Sequence, residues 1–131
     1  NAAHNRLLIG QFGLLGHLGS LCRASGVGAE LDAGRLPVIS SEVFSLIARG
    51  CIPGGSRQNL EAAGRFTRFD LVDSAHRILL ADAQTSGGLL LCVPPKHLDA
   101  VLKLLKGHRT PCAAVIGRVV RSAKPGIHVL A

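Results

Sequence analysis

Between residues 95 and 106 the apolar side chains Leu98, Val101, Leu102 and Leu105 fall at i, i+3, i+4 and i+7, one face of a helix. Pro95 stands in the first turn of this pattern and Gly107 just beyond it, where a helix start and a helix stop are favoured. Two apolar runs bracket the segment, residues 89–93 and 113–120. The five-residue run fits a buried strand better than a helix, and the second reads as a strand near the end of the chain. A helix with one apolar stripe has to bury it, so this unit commits the chain to helices packed on a sheet.

The rest of the chain follows the same alternation. Residues 12–25 place Phe12, Leu14, Leu15, Leu18, Leu21 and Cys22 at mixed three- and four-residue spacings, which predicts a helix ending near Ser25-Gly26. Gly13, Gly16 and Gly19 recur within it, each costing a helix up to about 1 kcal/mol relative to Ala. A neighbour is therefore expected to approach closely on that side. Residues 27–31 read as a short strand, and 40–49 as a helix with Ser40 or Ser41 as N-cap and Gly50 at its end. A Gly/Pro-rich loop over 51–59, a short segment over 61–63, a helix over 71–80 and a polar loop over 82–88 follow. Residues 127–130 close the chain as a strand after the turn Lys124-Pro125-Gly126. There is no internal repeat, and the order predicts one α+β domain, an α/β sandwich in which helices pack on a mixed sheet. The length of 131 residues suits a single core.

Composition excludes several classes. With 47% hydrophobic and 18% charged residues the chain has enough apolar surface to fold and is unlike a disordered tail. No apolar run approaches the roughly 18 residues of a membrane span, and residues 1–20 lack the pattern of a signal peptide, so a soluble cytoplasmic protein is expected. A chain that begins at Asn1 and contains no Met is expected to be part of a longer one. The formal charge is +7, from 15 Lys and Arg against 8 Asp and Glu, and after Ala100 there are six cations (Lys103, Lys106, Arg109, Arg118, Arg121, Lys124) and no acid. Such a stretch suits nucleic acid, nucleotide phosphates or an acidic protein face. The four Phe residues all lie outside it, which leaves a base-stacking platform unsupported. Cys22, Cys51, Cys92 and Cys112 form no Cys-x-x-Cys pair and have no His at zinc-finger spacing, so no structural metal is expected. Cys92 and Cys112 sit in apolar runs and read as small buried hydrophobes.

Two glycine segments carry the chemistry. In Pro53-Gly54-Gly55-Ser56-Arg57-Gln58-Asn59, paired glycines free successive backbone N–H groups, and a hydroxyl, a guanidinium and an amide follow at once. That set suits an anion or a carboxylate, although Pro-Gly-Gly is also an ordinary turn. Asp82-Ala83-Gln84-Thr85-Ser86-Gly87-Gly88 combines two hydroxyls with two glycines. It leads into a strand and not onto a helix N-terminus, so it is no P-loop.

Together with Phe12-Gly13-Leu14-Leu15-Gly16-His17-Leu18, these segments resemble the selenophosphate synthetase (selenide, water dikinase) family, in its order and with similar separations. The family's patterns are approximately Gly-Phe-Gly-Leu-Leu-Gly-His, Pro-Gly-Gly-Thr-Arg-Arg-Asn and Asp-Pro-Gln-Thr-Ser-Gly-Gly-Leu-Leu. Residues 114–119 are similar to its closing strand. The resemblance spans about residues 12–120. It implies that residues 1–131 are a C-terminal domain of the aminoimidazole-ribotide-synthetase-like superfamily, with residues 12–131 family-like and 1–11 a divergent junction. It also implies a separate N-terminal domain, absent here, that forms a homodimer, holds most of the ATP site and carries the reactive Cys or selenocysteine and an essential Lys. The implied reaction takes ATP, selenide and water to selenophosphate, AMP and phosphate, with Mg²⁺ bridging the nucleotide.

What the resemblance implies for single residues is uneven. Gly54, Gly55, Ser56, Arg57, Asn59, Thr85, Ser86, Gly87 and Gly88 become candidates for nucleotide or anion binding. No catalytic residue is expected here, and none of the four cysteines matches the family's nucleophile. The family's Thr-Asp-Val-Thr-Gly, whose Asp is a metal ligand, falls on Leu7, Leu8, Ile9, Gly10 and Gln11, and Leu8 has no hard oxygen to offer Mg²⁺. His17 reads as a packed or surface histidine as readily as a ligand. Thr85 and Ser86 read equally as caps for nearby amides. Asp82 is a candidate partner for loop amides or an Arg. The isolated chain is expected to be inactive. An alternative reading is a non-catalytic basic module that docks RNA or an acidic protein partner.

Overall fold

A computed structural model describes the backbone of residues 6–8 and the whole of residues 12–84 and 87–131. Its main sheet has the order β3-β6-β2-β5, built from β2 (Gly28–Asp32), β3 (Thr67–Asp70), β5 (Gly117–Val120) and β6 (Gly126–Leu130). The central strand β6 runs parallel to β2 and β3, and β5 joins β2 antiparallel. A second, two-stranded antiparallel ladder pairs β1 (Arg6–Leu8) with β4 (Leu89–Leu91), with Leu8 opposite Leu89. This is the expected α+β class.

Alternation along the strands sorts their side chains. Ala29, Leu31, Ile127 and Val129 point into the core, whereas Arg68, His128, Glu30 and Arg118 form one row across the open face. Helix α1 (Gly13–Ser25) lies over β2 and β6 and buries Leu14, Leu15, Leu18 and Cys22 against them. Helix α3 (Gly54–Ala63) packs beside α1, α4 (Ser74–Leu80) beside α3, and α2 (Glu42–Ala48) beside α4.

The glycines of α1 each answer to a specific neighbour. A Cβ on Gly13 would lie 2.5 Å from the Ala81 carbonyl carbon, one on Gly16 would lie 2.8 Å from Phe12 Cβ, and one on Gly19 would overlap the Phe66 ring. The expected close approach is thus real, and it involves three different partners. Gly26, with φ of 63°, ends the helix in the left-handed conformation.

Five expectations need correction. Residues 54–63, read as a loop and a short segment, form the helix α3: Pro53 (φ −57°, ψ 141°) sets its start, and Leu60 and Ala63 pack on the core. Glycines are cheap in a first turn, where amides have no helical acceptor. Strand β3 was not expected, because Thr-Arg-Phe-Asp has too few apolar residues to show a period. The helix over 71–80 begins only at Ser74, where Asp73 accepts the His76 N–H at 3.0 Å as N-cap. The closing strand over 113–120 shrinks to β5, so Cys112 is exposed and not buried. The helix over 95–106 is a 3₁₀ turn at Pro95–His97 followed by α5 (Leu98–Gly107), whose apolar stripe is only half-buried.

Candidate functional site

The segment Ala81–Ala83, between α4 and the second glycine loop, is where the three sequence motifs meet. From α1, Gly13 (φ 63°) lies against the Ala81 backbone with no room for a side chain. From α3, the Ser56 hydroxyl, fully buried, donates to Asp82 Oδ1 at 2.7 Å and accepts the Ala83 N–H at 3.1 Å. One helical turn on, Asn59 Nδ2 donates to the Ala81 carbonyl oxygen at 3.2 Å. Five polar groups of the 81–83 segment and α3 thereby pair with one another, and the buried hydroxyl has the partners it requires.

This arrangement brings two helix N-termini to one loop. Neither α1, which starts after Phe12, nor α3, which starts after Pro53, has a side-chain cap on its first amides. Unpartnered amides and the aligned peptide dipoles make such ends electropositive. Arg57 is exposed in the first turn of α3, and Gly54 has open space where a side chain would stand. Gly55 is likewise spacious, with only Ala83 Cβ in ordinary contact at 3.7 Å. Neither glycine is required by the described packing, which leaves the α3 N-terminus bare to solvent.

The candidate residues therefore divide. Gly54, Gly55 and Arg57 face outward, whereas Ser56 and Asn59 spend their side chains holding the second segment. Gly87 and Gly88 precede β4, close in sequence to the clasp but after Thr85 and Ser86, which lie outside the described residues. Asp82 takes a hydroxyl partner, not an Arg. His17 is half-buried beside Phe12, ring centroids 5.8 Å apart, and shares with Ser20, Arg23 and Phe66 a groove of about 270 Å³ between α1 and α3. Sequence reasoning missed Ala81 and Ala83; the signal was available only as the glycine spacing of α1, which asked for a close neighbour without naming it.

Among the described residues no three His, Cys, Asp or Glu side chains gather where they could hold an ion. The position that the resemblance assigns to a ligand is Leu8, which has no oxygen in its side chain. Two cysteines are chemically quiet: burial pushes the Cys22 thiol up, with a smaller push from neighbouring Cys92, and burial does the same for Cys92. No helix of the described residues is long and apolar enough to cross a membrane.

The mixed sheet with helices packed on it is an α+β fold. The C-terminal domain family of AIR synthase related proteins matches residues 9–130, and the chain belongs to that family. It is similar to the selenide, water dikinase of Photorhabdus laumondii, 42% identical over 104 residues that cover 79% of this chain and 29% of the relative. The selenide, water dikinases of Porphyromonas gingivalis (44% over 109 residues; 81% and 30%) and Myxococcus xanthus (41% over 120 residues; 91% and 33%) are similar to it as well. The chain spans about a third or less of the length of these relatives.

Proposed function

We propose that this chain is the C-terminal domain of an ATP-dependent selenophosphate synthetase and closes the nucleotide cleft of an N-terminal domain. The observation that carries this reading is the joining of the two glycine segments at Ala81–Ala83, beside two uncapped helix ends. There the outward amides of Gly54 and Gly55, with the Arg57 guanidinium, bind phosphate oxygens of ATP. Thr85, Ser86, Gly87 and Gly88 belong to the same reading as further candidates for contact with the nucleotide. What this chain supplies is position and positive potential for a transferring phosphoryl group, the larger part of catalysis in that chemistry. Selenide, Mg²⁺ and the reactive groups are the business of the other domain, the intact enzyme is a cytoplasmic homodimer, and Leu8 has no oxygen to offer the metal.

The test is reconstitution. The 131-residue chain alone forms no AMP from ATP and selenide. Mixed with the N-terminal portion of the Photorhabdus laumondii relative, it forms a complex that survives about 0.5 M salt, where surface charge pairing is largely screened, and the pair forms AMP only when selenide is present. Leu8→Asp, which restores a hard oxygen, raises that rate. Selenide-dependent AMP from the chain alone, or no complex, overturns the reading.

A further inference from the structure

We infer that Ser56, Asp82 and Asn59 are positioning residues that lock residues 81–83 onto α3, so that residues 83 and 84 and the amides at the start of α3 meet one anion as a single rigid unit. This rests on the phosphate-binding reading above and assigns these three side chains a task other than touching the ligand.

Ser56 is the only polar residue among the described ones whose whole side chain is buried, and both its hydrogen-bonding functions are used across 26 and 27 residues of sequence. Burying a hydroxyl is costly unless it is paired, and here the pairing is wholly with Asp82 and Ala83. The Ser56 proton goes to Asp82 Oδ1 at 2.7 Å, a short bond of the kind a charged acceptor makes. Its lone pair takes the half-buried Ala83 N–H at 3.1 Å. Asn59, one turn along the same face of α3, fixes the Ala81 carbonyl. The 81–83 segment is therefore held at three successive residues by one helix, through the backbone at Ala81 and Ala83 and through the side chain at Asp82, and it packs against Gly13. The exposed residues of this turn are the neighbouring Gly54, Gly55 and Arg57. A group placed this way affects a ligand through the geometry of the amides it fixes, where shifts of an ångström are expensive.

The experiment is a titration of the 131-residue chain with inorganic phosphate, followed by amide NMR at Gly54, Gly55, Arg57, Ala83 and Gln84, in the original chain and in Ser56→Ala, Ser56→Thr and Asp82→Ala. In the original chain both segments shift with one shared Kd. Ser56→Ala weakens phosphate binding at least about tenfold, separates the responses of the two segments, and speeds hydrogen exchange at the Ala83 amide, while Ile127 and Val129 amides stay protected. Ser56→Thr keeps the hydroxyl and keeps the shared Kd. If Ser56→Ala loses protection at Ile127 and Val129, Asp82→Ala breaks the same clasp from its half-exposed side and gives the same separation. A response in Ser56→Ala and Asp82→Ala identical to the original overturns the positioning role while leaving phosphate binding in place. No shift in the original chain removes the phosphate site, and the positioning role with it.

Discussion

At the scale of single residues, the sharpest constraint is the contact between Gly19 and Phe66. The ring occupies the space a side chain would need, and Arg23 lies over the same ring at 5.0 Å from its centroid. Gly19→Ala would ordinarily favour a helix by up to about 1 kcal/mol. Here the added methyl has to displace an aromatic side chain packed on the core, and overpacking of that kind costs about 1–3 kcal/mol. A lower midpoint in chemical denaturation is the expected result; a higher one would show that the ring gives way freely. The periodic glycines announced this constraint in the sequence, whereas its partner did not appear, because Phe66 is 47 residues away and only the fold sets that contact.

Among the elements, α4 starts at a charged side-chain cap. Asp73 accepts the His76 N–H at 3.0 Å, and its other oxygen lies 2.6 Å from His76 Nδ1. The His76 backbone bond, followed by the His76 side chain, holds the Asp73 carboxyl below its usual value. On β3, the hydrogen bond from the His128 side chain, with help from Arg68, does the same for Asp70. A carboxyl depressed in the folded state adds stability above its unfolded value and loses it as pH falls through the folded one. Both contributions are therefore full at neutral pH and fade below about pH 4. Asp73→Asn should lower stability at pH 7 and flatten the loss seen on acidification, as read by denaturation at pH 7 and pH 3. An unchanged acid profile would assign the depression no role in folding. Periodicity made α1 legible because its stripe is long and deeply buried. It failed for β3, where Phe69 alone marks a four-residue strand, and for α3, where Pro53-Gly54-Gly55 reads locally as a turn until Leu60 and Ala63 find the core.

For the molecule as a whole, the fold was legible from the alternation of elements, and the motifs from their residues. What was not legible is that Ser56 and Asn59, which look like ligand groups, hold the chain to itself. Charge behaves similarly. Of the six cations after Ala100, Arg118 is tied to Glu30 across β5 and β2 at 2.6 Å, which leaves it less available to an external polyanion. Without stacking aromatics, unrelated RNA should be retained only at low ionic strength and released at about 0.15 M salt. Retention that persists there would favour the basic docking module.

The order β3-β6-β2-β5 also has a bearing on how copies of this chain behave in a crowded solution. Strand β5 borders the sheet and, among the described residues, pairs on one side only, with Val119 half-exposed. Open strand borders invite another strand to add on, the first step of aggregation. Here the border is four residues long, begins at a glycine pressed against the Glu30 carbonyl, and carries Arg118, with Arg121 and Lys124 just after it. Two copies meeting along it would bring like charges together over a very short ladder, so the surplus of positive charge acts as a guard that keeps neighbouring molecules apart.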